Sequence, residues 1–326
     1  MAGQQEEPTP ATQPDRYFLG TAAGKALAFL AGEQDVTGDF RLYLCRTRDM
    51  CDLEPDSSVF ATMQIIHSLA DLPFDAAREL HDRAAAFVLS RMEPPGIWRY
   101  WGGQVRSLPV DLDTSACGAA CLAHDHAWLA FRLNAPLLQA WRDPEGRFWT
   151  WIGKGANDVD SVVNANVVWY LGESAATRGA IQWVAALVRA GQEPDASFYY
   201  DDPLALYYAV GRAIQAGVES WRSLGPLLEQ RLRARFQDRT AERSALARAR
   251  ALATLCAIGA AGSALAARLA RGLLREQRGD GSWPLAPAWN GGFPPGPRRL
   301  WWGSEALTTA LCLESLNAWN GGRGPR

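Results

Sequence analysis

The sequence predicts an all-α fold, an (α/α)6 barrel (toroid) of six inner and six outer helices. Three observations lead there. A short motif recurs at intervals of about 50 to 58 residues, with a single gap of 85. Amphipathic segments alternate with segments that are apolar nearly all round. Neither end carries the polar capping repeat that an open solenoid needs.

The elements follow in order. Residues 1–16 are polar and proline-containing and are expected to form a disordered tail. Residues 17–319 form the single barrel domain, and 320–326 a loose C-terminal tail. Outer helices are expected at 17–33, 75–92, 127–141, 177–190, 218–237 and 263–276, where charged residues take one side and Leu, Ala and Phe the other. Each is followed by the motif, a loop, and an inner helix at 56–69, 113–123, 158–171, 202–216, 241–257 or 304–316. The fullest motif is Gln277-Arg278-Gly279-Asp280-Gly281-Ser282-Trp283: Gln, three residues, Gly, one residue, aromatic. It recurs at Gln34, Gly38 and Phe40, and with Ala for Gly at Gln192, Ala196 and Phe198. Copies without Gln end in Trp98 and Phe148. Its Gly permits a tight turn, and its aromatic ring is placed to plug the space between adjacent units.

Composition narrows the function. The chain is 48% hydrophobic and 21% charged, enough for a substantial core. A formal net charge of -2 offers no field for nucleic acid. No run is long enough to span a membrane, and no leader-like segment stands at the start, so the expected location is cytoplasmic. Six cysteines without a CxxC pair and four histidines without zinc spacing lead us to expect neither a disulfide framework nor a zinc site. Fourteen tryptophans exceed what plugs between units require and suit an apolar cavity.

Inner helices that all run the same way bring their N-termini to one mouth. Acids gather there: Asp52, Glu54, Asp56, Asp111, Asp113, Asp158, Asp160, Asp201, Asp202 and Glu305. A helix start attracts Asp as a cap without any chemistry. Capping does not need two acids at alternate positions, as in Asp111-Leu112-Asp113-Thr114-Ser115 and Asp158-Val159-Asp160-Ser161. A carboxylic acid kept neutral by apolar burial and a neighbouring carboxylate can protonate an alkene. Asp160 and Asn164 lie one turn apart and are expected to face the lumen as an acid, a polar-substrate contact or a core pair.

The Gln-to-aromatic frame resembles the QW repeat of the squalene-cyclase and class II terpene-cyclase superfamily. The stretch 301–310, from Trp301-Trp302-Gly303-Ser304-Glu305 onward, is similar to the last barrel repeat of that group. The 111–115 string resembles its DxDD acid motif, and more closely the DxDTT variant of bacterial drimenyl-diphosphate-forming enzymes. The resemblance implies a protonation-initiated cyclase, with Asp113 as proton donor and Asp111 in support. It implies a small-molecule isoprenoid substrate whose cation is held by aromatic walls, for which Trp98, Tyr100, Trp101, Trp151, Tyr200, Trp301 and Trp302 are candidates. A prenyl diphosphate would need the cations Arg99, Arg106, Lys154 and Arg299, and would bring Mg2+ with it. Class II cyclases usually pair this barrel with a second one. A lone barrel needs its own loops, a homo-oligomer or a partner subunit to close the cavity. Two readings stay open beside this one: a barrel that binds a lipid or partner protein without chemistry, and a cyclase-like enzyme using Asp158 and Asp160 on a more polar substrate. Protein prenyltransferase β-subunits share the architecture, but no Asp-x-Cys and His set stands at matching helix starts.

Overall fold

The computed structural model describes residues 13–103, 108–123, 132–155, 157–237, 244–291 and 300–321. Twelve α-helices among these alternate with loops: α1 (Gln13–Glu33), α2 (Val59–Leu69), α3 (Asp75–Ser90), α4 (Leu112–Leu122), α5 (Ala135–Ala140), α6 (Ser161–Leu171), α7 (Arg178–Ala190), α8 (Pro203–Gln215), α9 (Gly225–Arg235), α10 (Ala245–Ala257), α11 (Ala264–Glu276) and α12 (Glu305–Trp319).

The expectation of an all-helical chain needs one correction. Strands β1 (Leu42–Cys45), β2 (Glu54–Asp56), β3 (Trp289–Gly291) and β4 (Leu300–Gly303) form an antiparallel sheet of order β2-β1-β4-β3. Tyr43 pairs with Gly303 and Trp289 with Trp302, so loops far apart in sequence are joined edge to edge. Runs of three or four residues leave no alternation long enough to read, and β1 and β4 pair across most of the chain, Tyr43 with Gly303. Because β2 leads into α2 and β4 into α12, the sheet lies on the side where those helices begin.

The even-numbered helices are buried on nearly every side, and the odd-numbered ones cover them. They pack in cyclic order. α2 packs on α4, α4 on α6, α6 on α8, α8 on α10, α10 on α12, and α12 back on α2. Each begins on a side chain that accepts a backbone N–H: Ser58, Asp111, Asp160, Asp202, Ser244 and Ser304.

The repeated motif explains how outer and inner helices are locked. Gln277 donates through Nε2 to the carbonyls of Ala22 and Gly281, and Gln34 likewise to Leu80 and Gly38. Gly281 and Gly38 both have positive φ, and a Cβ at either would lie 2.2 or 2.3 Å from a carbonyl oxygen of the neighbouring outer helix. The aromatic ring then plugs the gap: Phe40, Trp98, Phe148 and Trp283 are each at most 1% exposed. Their backbone N–H groups donate to Thr62, Ser115, Asn164 and Thr309, each in the first turn or so of the next inner helix.

Candidate active site

Asp113 sits one residue inside α4, buried, with both carboxyl oxygens engaged. Tyr200 Oη donates to Oδ2 at 2.5 Å, and Asn166 Nδ2, from α6, donates to Oδ1 at 2.6 Å. Asn166 in turn accepts from Arg212 Nη2 at 2.8 Å, and Arg212 Nη1 donates to Gln64 Oε1 at 3.0 Å. A polar chain thus runs from α4 through α6 and α8 to α2 inside an otherwise apolar interior. Burial pushes the Asp113 carboxyl up to about 6, while the bonds from Asn166 and Tyr200 pull the other way.

Asp111 does something different. Its Oδ1 caps α4 by accepting from Thr114 N–H at 2.6 Å, and its Oδ2 is buried with no hydrogen-bond partner. Burial raises this carboxyl to about 7, opposed by the Thr114 bond and helped by the charge of Asp113. No hydrogen bond between the two acids is present, and each carboxyl has its own partners.

The second acid pair falls elsewhere. Asp160 accepts from Val162 N–H and Val163 N–H on one oxygen, and from Ser197 Oγ, Phe198 N–H and Tyr199 N–H on the other. Burial raises its pKa against all of these bonds. Asn164 clamps the backbone of Phe148 through both ends of its amide, and Asp158 accepts from Thr150 Oγ1 at 3.0 Å. The expectation that Asp160 and Asn164 face the lumen is therefore corrected: both side chains are turned to the 148 and 197–199 backbones.

A hollow of about 30 Å3 lies between the inner helices, the volume of a single liquid water. Phe60 and Gln64 of α2, Asn166 of α6, Tyr208 and Arg212 of α8, Arg250 of α10, Leu307 and Leu311 of α12, and the rings of Tyr200 and Trp289 line it. Asp113 stands behind Tyr200 and Asn166, which belong to both the acid and the wall.

Of the aromatic residues singled out from sequence, only Tyr200 reaches this hollow. Trp98 is a fully buried plug whose Nε1 donates to Val88 O. Tyr100, Trp101 and Trp302 form an edge-to-face cluster at the sheet, in which Asp56 accepts from the indoles of Trp101 and Trp302. Trp151 donates to Tyr199 Oη at 3.0 Å and carries Lys154 on its face, and Trp301 is half-buried on β4. Arg99 is bound to Glu93 and to Leu108 O. Arg106, Arg299, His124 and His126 lie outside the described residues. The residues that sequence reasoning passed over are Gln64, Arg212, Arg250 and Trp289, together with the partner role of Asn166. One signal was present: Arg212 in α8, and Arg248 and Arg250 in α10, stand among residues that are mostly apolar or small. Among the described residues no cluster of His, Cys, Asp and Glu is arranged to hold a metal ion, and no helix is long and apolar enough to cross a membrane.

No sequence family and no curated protein matches the chain. Solved structures do. A variant of the type II terpene cyclase MstE from Scytonema, without ligand, is 18% identical with a TM-score of 0.70, covering 96% of this chain and all of its own. A second variant of that enzyme, in complex with its substrate geranylgeranyl dihydroxybenzoate, matches equally well. A possible member of the GH105 family from Klebsiella pneumoniae aligns over 98% of this chain at 11% identity and a TM-score of 0.58. At these identities the likeness is one of fold, and that fold serves unrelated chemistry.

Proposed function

We propose that the chain is an (α/α)6 barrel enzyme of the class II terpene-cyclase kind, in which Asp113 protonates an alkene of an isoprenoid substrate to start ring closure. The observation that carries this reading is the Asp113 carboxyl: buried at the start of an inner helix, raised to about 6, and linked through Tyr200 and Asn166 to a hollow walled by Phe60, Tyr208 and Trp289. An alkene is a weak base, so the donor must hold its proton until the substrate is in place and release it without water competing. Burial supplies the first requirement. The Tyr200 and Asn166 bonds supply the second, because both donors stabilise the carboxylate left behind.

Asp111 is the supporting acid. Its unpartnered Oδ2 and raised pKa keep it neutral over much of the range in which Asp113 ionises, so it adds little repulsion to the Asp113 anion. We assign Asp158, Asp160 and Asn164 to holding the 148–150 and 197–199 turns in place, and thereby Tyr200. The cation formed after protonation would meet the faces of Phe60 and Trp289. A hollow of about 30 Å3 does not hold a prenyl chain, so entry requires wall side chains to swing, with Trp289 between the sheet and the hollow as the first to move. Mg2+ would arrive only with a diphosphate substrate.

The fold likeness to MstE, whose substrate geranylgeranyl dihydroxybenzoate carries a geranylgeranyl chain, agrees with this chemistry. Incubation with prenylated substrates of increasing chain length, followed by product analysis by mass spectrometry, tests it. Cyclised product from wild type and none from Asp113→Asn is the expected result. Unchanged turnover in Asp113→Asn would remove Asp113 from the mechanism. The smallness of the hollow favours one competing reading, a barrel that binds without reacting, and a consistent lack of product across all chain lengths would select it.

A further inference from the structure

The wall of the hollow contains a charge with no counterpart. Arg250 of α10 is 8% exposed and faces the hollow, donates through Nη2 to Ala288 O at 3.0 Å, and leaves its Nε buried without an acceptor. No carboxylate among the described residues pairs with it. The acid whose charge acts on it most, Asp202, is already bonded to Arg235 and to Leu204 N–H. Arg212, the second guanidinium in the wall, also lacks a carboxylate partner among the described residues and has a buried Nε without an acceptor, but both its terminal nitrogens are bonded, to Gln64 and Asn166, and it stacks on Trp169 and Tyr208.

A buried guanidinium stays charged, and leaving it uncompensated is costly. The difficulty sharpens under the proposed function: the Asp113 carboxylate left by proton transfer balances the new cation, but the two guanidiniums stay unbalanced beside that cation unless an anion comes with the substrate. Resting on that reading, we infer that the substrate carries a carboxylate, and that Arg250 receives it inside the ring. The Arg250 donors not committed to Ala288 O remain to meet one carboxylate, which matches the guanidinium in charge. A carboxylate is smaller and less charged than a diphosphate, and the hollow at Arg250 has room only for a group of a few atoms. The carboxylate lowers the cost of the cation by lying in the same enclosure, and it removes the penalty of the lone arginine when it binds.

The test measures binding without turnover, in full-length Asp113→Asn protein, by calorimetry with farnesoic acid, its methyl ester and farnesyl diphosphate. The acid should bind tighter than the ester by roughly tenfold or more. Arg250→Met should bring that acid-to-ester ratio down to about one or below, and Arg250→Lys should restore part of it. Equal affinity for acid and ester with Arg250 intact overturns the inference, whether or not the Met variant folds. So does an unchanged ratio in a folded Arg250→Met, a loss confined to the diphosphate, or no measurable binding of the acid. Wild-type turnover separates this from the proposed function: an ester cyclised as well as the acid removes only the carboxylate requirement. Acid that binds through Arg250 yet is never converted removes only the chemistry.

Discussion

At Asp113 burial, the larger effect, is opposed by the hydrogen bonds from Asn166 and Tyr200. Burial alone would hold the proton too firmly; the bonds from Tyr200 and Asn166 bring the carboxyl back to about 6. Under the proposed function the working form is the protonated acid, so kcat/KM should be full at low pH and fall as pH rises through about 6, with Asp113→Asn inactive throughout. Tyr200→Phe removes a donor to the ionised form. The falling limb should therefore move to higher pH, and kcat should drop roughly tenfold or more, the value of one hydrogen bond to a charge. A pH–rate profile that does not move would place Tyr200 outside the acid's environment. Asp111 gives a stability prediction of known sign. Its carboxyl is raised in the fold from 3.8 to about 7, so below its unfolded value both states are protonated and nothing is lost. As pH climbs from there toward 7 the unfolded chain releases a proton that the folded chain keeps, and stability declines. Asn caps helices as well as Asp does. Asp111→Asn should thus melt above wild type in mildly alkaline buffer and match it in strong acid, as measured by thermal denaturation.

The helix starts and the motif turns carry the middle scale. Asp111, Asp160 and Asp202 each cap an inner helix, and the Thr62, Ser115, Asn164 and Thr309 positions show that one geometric link is repeated with three residue types. Such a link is invisible as a sequence pattern because hydroxyl and amide side chains serve it equally. The glycine is less replaceable. Gly281 combines a φ of +94 with a would-be Cβ 2.2 Å from Lys25 O, whereas Gly103 has a φ of +83 and open space around it. Gly103→Ala should cost about 1 to 2 kcal/mol, the left-handed backbone penalty. Gly281→Ala should cost at least about 2 kcal/mol more, because α1 must be pushed off the motif. Urea titrations of the two variants give the comparison directly, and equal midpoints would mean that the α1 backbone yields freely.

For the molecule as a whole, the return of α12 onto α2 is the decisive packing event. An open array of helix pairs could lose its last unit and keep the rest folded. Here α12 is buried nearly all round and fills the gap between α10 and α2, so removing it exposes two inner helices and the outer helix α1 at once. Ending the chain before Glu305 should abolish the cooperative thermal transition instead of shortening it, which differential scanning calorimetry would reveal. A sharp residual transition would instead point to an open stack. The small sheet belongs to the same scale, since β1 and β4 bring the two ends of the ring together at the side where the inner helices start.

The sequence by itself determined the twelve-helix alternation, the motif turns and the acids at the helix starts, because period, caps and glycine turns are local properties. It could not determine which side of an inner helix meets the hollow, because a helix apolar all round has no preferred face to read. Only the packed ring decided that Asn166 points to Asp113 while Asn164, two residues earlier, points to a backbone. Only the ring brought Tyr200, Arg212, Arg250 and Trp289 to one space from positions spread over 90 residues. Charge burial is a property of the assembled interior, and it is what separates a helix cap from an acid that can give up its proton.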